Sequence, residues 1–538
     1  MREAQRALVL LLLFCALLGL CLPFLSNPLI FDDLYLFRPE AMASYLQHGF
    51  LLEPRGWVNA SFALTQSIFG DEVLWERLGN LFVHMLVCVA LYFFSHRLIL
   101  DLDVYPGRYV SSGAAALLAA GLFAFHPIAV YTQAYLAQRT ILCATLFVLL
   151  SLHAFWRGLS GARVALWGAV PLFVIASLAK EHVVMLPVAA VLLLALHLRS
   201  GLQLRVPRFE VFAVLVLLFA TSIAITCYSK WVLLSPYEQM TGEVLEGELD
   251  VSSSLLYPLS VLNQAGLFFK YFLLWLLPNP SWISIDMREA FPLDFNSLSL
   301  WLGVAVFSVY GVVAVLLLWK GRVLGLLGWA LIMPGIMFFT EFSTVRLQEC
   351  FVLYRSYLWM PIVFVAVAVL ARRLSRNIIF VLVPLLSLFY LSLSLDRLSV
   401  LSHPFSAWME AQQLLERRGE AAGVLGGYRI YYNVAVTQYA VGRKQEALEN
   451  YTKSLERKPS YAIARLNRGI IYLERKEWVF ALADFDRAIE AFPGFVKPHL
   501  GRAEALDGLG RHDEAKAALQ TACDMGARNI CSQLQARK

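Results

Sequence analysis

The sequence predicts an all-α protein in two parts, a polytopic transmembrane domain over residues 1–402 and a helical-repeat solenoid over 403–538. Three observations predict this fold: an apolar composition, a series of membrane-length apolar runs, and a repeat near the C-terminus. Hydrophobic residues make up 59% of the 538 residues and charged residues only 16%, whereas soluble domains are roughly half apolar and a quarter charged. So much apolar surface requires a lipid environment. The net charge of +6 comes from basic residues between the apolar runs, which is not the pattern of a nucleic-acid-binding surface.

The apolar runs define the candidate membrane spans, since crossing a bilayer takes roughly 17–25 residues. They lie at about 7–25, 77–99, 109–125, 138–156, 163–180, 182–198, 209–229, 259–278, 298–319, 323–340, 357–371 and 377–395. The first run follows Arg2 and Arg6 and is not followed by a small-residue cleavage site. We interpret it as a retained signal anchor.

Basic residues between the runs set the expected topology, because cytoplasmic loops are enriched in Lys and Arg. If every basic cluster is placed in the cytoplasm, successive runs cross the membrane in alternating directions only when 259–278 does not cross it. This run contains Lys270 and ends at Pro278, so we expect a re-entrant or interfacial helix on the outer side. The prediction is about eleven spans, outer loops at 26–76 and 230–297, and an extracytoplasmic C-terminal domain.

The C-terminal part shows a period of 34 residues. Small residues, a larger residue beside them and a closing proline recur at this spacing. They are Ala435, Gly469 and Ala503; Ala447, Ala481 and Ala515; Tyr451, Phe485 and Leu519; and Pro459 and Pro493. This is the signature of tetratricopeptide (TPR) repeats, in which small residues allow paired helices to touch. The pattern predicts about three TPR repeats.

Two cysteines, Cys523 and Cys531, lie at the end of the third repeat, in a domain expected to face an oxidising compartment. The residues 525–528 between them, Met-Gly-Ala-Arg, favour a chain reversal that would let them form a disulfide. On one continuous helix the two thiols would instead be too far apart to bond.

Charged residues in the outer loops are the candidates for chemistry, because charge at membrane depth is costly without a role. Asp32 and Asp33 follow the first span and suit a general base beside a group that orients an acceptor. An ordinary polar cap at the end of a helix explains the same pair.

Basic residues on the outer side favour a phosphate ligand. Arg139 follows His126-Pro127 and suits a bidentate grip on phosphate, or a snorkelling anchor. Lys180 precedes Glu181, either as a phosphate-binding group steadied by a carboxylate or as a self-paired turn. The last outer loop holds Arg346, Glu349, Tyr354, Arg355 and Tyr357, while the acidic segment 230–258 receives no role.

Several short segments occur in a fixed order along the chain. They are Phe31-Asp32-Asp33; Arg55 and the apolar stretch to Gly70; Leu78 to His84; His126-Pro127 with Thr132 and Arg139; Lys180-Glu181; Asp286; and Glu349 with Tyr354-Arg355-Ser356-Tyr357-Leu358. Followed by TPR repeats, this order resembles the transmembrane-and-TPR O-mannosyltransferase (TMTC) family and, more distantly, the protein O-mannosyltransferases, both of GT-C type. The chain departs from the family pattern at Gly56, Gln133 and Gln138, where Pro, Glu and Gly are usual.

The resemblance implies an inverting transfer of a sugar from a polyprenyl phosphate to a Ser or Thr hydroxyl of a protein. It implies catalytic residues at Asp32, the base, and Asp33. It implies a donor-phosphate site at Arg55, Arg139, Lys180 and Arg355. It implies supporting residues at His126, Glu181, Asp286, Glu349 and Tyr357. Whether a cofactor is needed stays open, since Asp32, Asp33 and Asp286 could hold a divalent metal.

The same resemblance implies a place and partners. The short repeat array resembles bacterial proteins, which implies an inner-membrane enzyme with its TPR domain in the periplasm. Its partners would be the polyprenyl-linked donor, membrane lipids and a protein acceptor docked by the TPR domain, with no nucleic acid. Two alternatives stay open: the same donor chemistry on an envelope glycan or lipid, and a non-enzymatic TPR scaffold or transporter. A transporter should show internal symmetry, and the sequence shows none.

Overall fold

A computed structural model describes residues 3–48, 53–102, 110–233, 251–347, 349–418, 424–527 and 531. Parts of both predicted outer loops, residues 49–52 and 234–250, lie outside these ranges. The chain divides into two compact units. The first comprises Met1–Thr241, Val251–Ile283 and Phe291–His403; the second comprises Gly242–Asp250, Ser284–Ala290 and Pro404–Lys538.

The first unit is built from α-helices. They are α1 (Glu3–Cys21), α2 (Asp33–Leu36), α3 (Pro39–His48), α4 (Gly56–Phe69), α5 (Val73–Asp101), α6 (Ser112–Ala124), α7 (Pro127–Ala134), α8 (Arg139–Leu159), α9 (Arg163–Ala179), α10 (Leu186–Arg199), α11 (Arg208–Tyr228), α12 (Lys230–Leu233), α13 (Ser253–Leu276), α14 (Leu298–Trp319), α15 (Arg322–Met337), α16 (Phe339–Phe342), α17 (Met360–Ala371) and α18 (Arg376–Val400). Turns of 3-10 helix occur at Leu22–Phe24, Leu136–Gln138, Glu181–Met185, Pro280–Trp282 and Leu353–Leu358.

The long helices of this unit carry apolar side chains on their outer surfaces. On α14, Val309 is 62% exposed and Leu316 is 59% exposed. Each such side chain would cost about 1.5–3 kcal/mol in water relative to burial. A row of them on one helix is compatible with a membrane protein whose outer surface meets lipid.

Among the described residues, eight helices are long and apolar enough to cross a membrane, or nine if one bent pair counts as a span. The bent pair is Ser112–Ala124 with Pro127–Ala134, at 56°. Three of the predicted spans correspond to shorter apolar helices, at Leu8–Phe24, Arg163–Ala179 and Met360–Ala371. The predicted number of spans is therefore not confirmed.

The segment that we expected not to cross forms one continuous helix, α13, of 24 residues. At 1.5 Å per residue, such a helix is about 36 Å long, which suffices for a bilayer core. Its length and composition therefore provide no reason to exclude it from the spans. That exclusion rests on the basic clusters alone and stays a prediction about topology.

Three of the 3-10 turns lie before a helix, and two of them carry the charged residues Glu181 and Arg355 of the candidate site. Leu136–Gln138 precedes α8, Glu181–Met185 precedes α10, and Leu353–Leu358 comes just before α17. The first residues of a helix leave backbone N–H groups without helical partners, so polar side chains are favoured there. The fold therefore places charged residues at helix starts rather than within the apolar helices.

The second unit confirms the predicted repeats. It contains α19 (Pro404–Arg417), α20 (Gly427–Ala440), α21 (Lys444–Arg457), α22 (Ala462–Glu474), α23 (Trp478–Ala491), α24 (Val496–Gly508) and α25 (His512–Asp524). The small residues of the repeat pattern are buried where the helices of a pair pack together. At Gly469, an added Cβ would lie 2.7 Å from the Phe485 ring, so the close approach requires glycine.

A short segment between α13 and α14 belongs to the second unit, although its flanking residues belong to the first. In this segment, Ser284–Ala290, Glu289 forms an ion pair with Arg418 at 2.7 Å, and Ala290 forms an antiparallel bridge with Val424. The repeat unit therefore includes a piece of the predicted outer loop 230–297.

The predicted disulfide between Cys523 and Cys531 is confirmed, with a Cα–Cα distance of 5.0 Å. Helix α25 ends at Asp524, and Gly526 adopts a φ of 102°, which only glycine tolerates easily. The chain thus reverses after the third repeat, and the alternative of one continuous helix is wrong. Arg528 of the predicted turn lies outside the described residues.

Candidate active site

Asp32 lies at a strained turn that leaves its side chain exposed. The preceding residue, Phe31, has a φ of 51°, a conformation that costs an L-residue about 1–2 kcal/mol. The Tyr135 hydroxyl donates to Asp32 Oδ2 at 2.7 Å and accepts the Asp32 backbone N–H at 3.3 Å. Strain of this kind is often found at functional sites, and here it fixes an exposed carboxylate at the start of α2.

Asp33 has a different environment although it is the next residue. Its side chain is fully buried, and Oδ1 accepts the Ala137 backbone N–H at 2.8 Å. Burial raises the pKa of this carboxyl to about 7, although the Ala137 N–H and the charge of Arg77 act in the opposite direction. Asp33 therefore anchors the first loop to the turn before α8. The expectation that it is a second catalytic carboxylate stays a prediction.

Arg77, which the sequence analysis did not single out, holds the same region together. Its guanidinium donates to the carbonyls of Asn27, Pro28 and Ala134, with the Pro28 bond at 2.8 Å. Because Pro28 precedes Asp32 and Ala134 precedes Tyr135, this buried arginine joins the two segments that carry the Asp32–Tyr135 contact.

Arg55 and Glu181 form an ion pair that is buried on one side only. The Arg55 side chain is 41% exposed, whereas that of Glu181 is 1% exposed, and Arg55 Nε lies 3.2 Å from Glu181 Oε2. Arg55 itself has a φ of 64°, and its N–H donates to the Leu178 carbonyl at 2.6 Å. The backbone therefore holds this arginine at the loop after α9.

Lys180 lies between α9 and the Glu181–Met185 turn, among several charged side chains. Burial, with a smaller effect from the positive charges of Arg55 and Arg355, lowers the pKa of its amine to about 7, while the charge of Glu181 acts in the opposite direction. A lysine in such surroundings gains a great deal from an added negative charge. Lys180 is therefore the cation of the site that would respond most to a phosphate.

Arg355 is shared between carboxylates in the last loop. Its Nη1 lies 2.8 Å from Glu341 Oε2 and its Nη2 lies 2.5 Å from Glu349 Oε2. Glu341 also pairs with Arg346 at 3.3 Å. Burial disfavours the Arg355 charge, but the two carboxylates outweigh it and hold the pKa of Arg355 above its usual range. Arg355 is thus a fixed positive charge.

Two tyrosines connect the acidic and basic parts of the site. The rings of Tyr135 and Tyr354 meet edge to face, with centroids 5.8 Å apart. Tyr135 contacts Asp32, and Tyr354 precedes Arg355 in the chain. We call the connected set the polar cluster; its members are Asp32, Arg55, Tyr135, Lys180, Glu181, Glu341, Glu349, Tyr354 and Arg355.

A small cavity lies beside the polar cluster. Its polar wall includes His182, Glu341 and Arg355, and its apolar wall includes Tyr271 and Trp359. The cavity has room for about one water molecule.

Arg139 has its contacts outside this cluster, and its predicted role in phosphate binding stays a prediction. Its side chain is 4% exposed and donates to Glu76 Oε2 at 2.7 Å, to Asn80 Oδ1 at 2.7 Å and to Ser61 Oγ at 3.0 Å. Its guanidinium also lies 3.7 Å from the centre of the Phe62 ring. Its N–H groups bind protein oxygens inside the bundle. Arg139 and Glu76 therefore form a structural ion pair between α8 and α5.

His126 and Tyr357 are buried packing groups of the first unit. His126 caps α7 by accepting the Ile128 N–H, and its ring stacks on Trp275 with centroids 4.3 Å apart. The Tyr357 hydroxyl lies 2.6 Å from His84 Nδ1, and both side chains are fully buried. Their supporting roles stay predictions.

The residues considered for a divalent metal do not assemble a site. Asp33 is enclosed, and Asp286 belongs to the second unit, where its oxygens lie 2.8 Å from the guanidinium of Arg288. Within the described ranges, no group of at least three His, Cys, Asp or Glu side chains is arranged to hold a metal ion. The arrangement therefore does not fit the metal considered from the sequence.

With the geometry established, comparison with known protein families identifies the second part of the chain. Residues 433–494 match the tetratricopeptide repeat family. The match spans α21 to α23 and part of α20, and the third helix pair, α24 and α25, continues the same pattern beyond it. The second unit thus carries the TPR repeats that the period of 34 residues predicts.

Proposed function

We propose that the first unit is a GT-C glycosyltransferase that moves a sugar from a polyprenyl-phosphate donor to a Ser or Thr hydroxyl of an extracytoplasmic protein. The observation that carries this proposal is the polar cluster. An exposed carboxylate, Asp32, and three cations from distant parts of the chain lie in one connected set of contacts. The transfer requires one base and several cations within reach of one substrate.

In this proposal Asp32 accepts the proton of the acceptor hydroxyl. The hydroxyl oxygen bonds to the anomeric carbon of the sugar while the bond from that carbon to the phosphate oxygen breaks. The electron pair of the broken bond stays on the polyprenyl phosphate, and the configuration at the anomeric carbon inverts. A positioned base is worth roughly 10²–10⁴-fold in rate.

The cations act on the leaving phosphate, which gains negative charge as the bond breaks. Arg55 is the most accessible of them, at 41% exposure, and Lys180 lies near both Arg55 and Arg355. Fixed positive charges in a partly enclosed site stabilise such a transition state more than they would in water. Glu181, Glu341 and Glu349 hold these cations in place.

The TPR unit supports a protein as the acceptor. Helical repeats of this type stack into extended surfaces that bind other proteins. In this proposal the repeats dock the acceptor protein, and the polar cluster modifies a hydroxyl on it.

One observation favours the non-enzymatic alternative, a TPR-bearing membrane scaffold. Arg55 and Arg355 already have carboxylate partners, so the polar cluster is also stable as a purely structural ion-pair network. The two functions differ in what Asp32 does, because a structural network does not need an exposed carboxylate beside it.

The deciding measurement is sugar transfer in membrane vesicles. Polyprenyl phosphates carrying different radiolabelled sugars are supplied to vesicles containing the wild-type protein or Asp32→Asn. We expect a loss of transfer of roughly 10²–10⁴-fold per folded molecule in Asp32→Asn, with unchanged thermal stability. Wild-type turnover in this variant would contradict the proposal. Intact-mass analysis of extracytoplasmic proteins from cells with and without the gene identifies the acceptor by a sugar-sized loss.

The location follows from the same proposal. The Cys523–Cys531 disulfide supports an oxidising compartment for the TPR unit, since such bonds are rare in the cytosol. We expect a C-terminal alkaline phosphatase fusion to be active and a cytoplasmic reporter at the same position to be silent. The reverse result would place the repeats in the cytoplasm and remove extracytoplasmic proteins as acceptors.

A further inference from the structure

We infer that Tyr135 is a positioning residue for Asp32: its hydroxyl sets the direction of this carboxylate and favours its charged form. The inference rests on the proposed function for its catalytic meaning, because it assigns to Tyr135 a role in preparing the base. Its physical content, control of the Asp32 carboxylate by one hydroxyl, can be measured without any substrate.

The hydroxyl of Tyr135 binds Asp32 at two points. It donates to Oδ2 at 2.7 Å and accepts the backbone N–H of the same residue at 3.3 Å. One oxygen atom thus fixes the main chain and the side chain of Asp32 relative to each other. Rotation of the carboxylate about its side-chain bonds would break the shorter of these two bonds.

Tyr135 is itself held rigidly, which is required of a positioning group. Its side chain is 1% exposed, and its ring packs edge to face on Tyr354, with centroids 5.8 Å apart, and near Phe31 at 6.3 Å. The residue lies between α7 and the Leu136–Gln138 turn, where Arg77 binds the preceding carbonyl. The hydroxyl therefore occupies one position, because the side chain that carries it is held in place.

A hydrogen bond donated to a carboxylate favours the ionised form. Burial, together with the nearby charge of Asp32, raises the pKa of the Tyr135 phenol well above its usual value, so it keeps its proton and continues to donate. Removing the hydroxyl takes away this stabilisation and leaves the ring in place. The carboxylate should then bind a proton at a higher pH.

The test is carbodiimide labelling of Asp32 in the purified full-length protein, since this reagent reacts with protonated carboxyl groups. Labelling is measured by peptide mass spectrometry, with fragmentation that separates Asp32 from Asp33, over a range of pH. In Tyr135→Phe we expect the midpoint of labelling to move to higher pH by roughly 0.5–1 unit, the size expected for one lost hydrogen bond. An unchanged midpoint would overturn the inference.

Tyr310→Phe is the matched control. Its hydroxyl donates to the Leu331 carbonyl between α14 and α15, so the substitution removes the same atom and the same kind of bond elsewhere. The Asp32 midpoint should be unchanged in this variant. An equal shift in both variants would show a general loosening of the fold and would also overturn the inference.

Transfer assays separate this inference from the proposed function. If Asp32 is the base, Tyr135→Phe should lower turnover about tenfold and move the acidic limb of its pH profile in the same direction as the labelling midpoint. If Asp32→Asn keeps wild-type transfer while the labelling shift is present, the proposed function fails and the positioning of Asp32 by Tyr135 stands.

Discussion

Two arginine–glutamate pairs of the first unit have the same chemistry and different surroundings. In the Arg139–Glu76 pair, the side chains are 4% and 2% exposed, and polar protein atoms surround the guanidinium. In the Arg55–Glu181 pair, the arginine is 41% exposed and only the glutamate is enclosed. The comparison shows that two ion pairs of the same chemistry differ in how far the cation is open to solvent.

The largest effect that we expect from this comparison is in Arg139→Ala. Breaking a buried pair leaves Glu76 charged or protonated without its partner, which costs about 3–5 kcal/mol. The thermal midpoint in detergent should fall strongly, while turnover per folded molecule stays near wild type. Replacing both residues, as Arg139→Met with Glu76→Gln, should recover part of the stability. A stable Arg139→Ala protein that had lost transfer would reverse the assignment.

In Arg55→Ala we expect a smaller loss of stability than in Arg139→Ala. We expect a larger effect on the use of the donor. Glu181 keeps its neighbours Lys180 and His182, the latter at 3.4 Å, so the loss of stability should be well below that in Arg139→Ala. A charge-assisted bond to phosphate is worth about 1.5–3 kcal/mol, so the KM for the donor should rise by roughly 10- to 100-fold. Arg55→Lys tests whether the grip needs both arms of a guanidinium. An unchanged KM in Arg55→Ala would remove this residue from the donor site.

The smallest expected effect is a protonation change at Lys180. With a pKa of about 7, the amine is partly charged at neutral pH. A bound phosphate favours the charged form, so binding of a polyprenyl-phosphate sugar, whose phosphodiester does not itself titrate near pH 7, should take up a fraction of a proton at pH 7. The affinity should therefore weaken as the pH rises above 7. Calorimetry in buffers of different ionisation enthalpy measures this uptake.

Lys180→Gln should abolish the proton uptake, and Lys320→Gln, at an exposed lysine after α14, should leave it intact. Uptake of the same size in Lys180→Gln would assign the proton to another group, with Asp33 the next to test by Asp33→Asn, since its pKa is also about 7.

The sequence predicts the repeat unit better than the site, for a physical reason. Contacts between paired TPR helices recur at a fixed spacing, so Ala447 and Ala481 reveal their packing through their position alone. The partner of Arg139, by contrast, is a residue 63 positions away on another helix. No spacing rule connects the two, and the sequence therefore suggests a free cation where the structure has a buried pair.

Asp32, Lys180 and Arg355, which the sequence marks as charges at an expected membrane surface, all belong to the polar cluster, and their functional roles stay predictions. The sequence cannot distinguish the environments of Asp32 and Asp33, because adjacent residues have the same neighbours in the chain. Only the strained turn at Phe31 gives the two carboxylates different environments. Tyr135 leaves no signal either, because tyrosines are common at membrane interfaces.

The segment Ser284–Ala290 has a consequence for the modularity of this protein. The repeats cannot be removed as a simple C-terminal extension, because ending the chain at His403 would strip Glu289 of Arg418 and Ala290 of its pairing with Val424. A shortened chain therefore has to extend at least to Val424 for this segment to keep its partners. The loop segment and the residues up to Val424 that pair with it are thus expected to be inherited together, as one unit of descent.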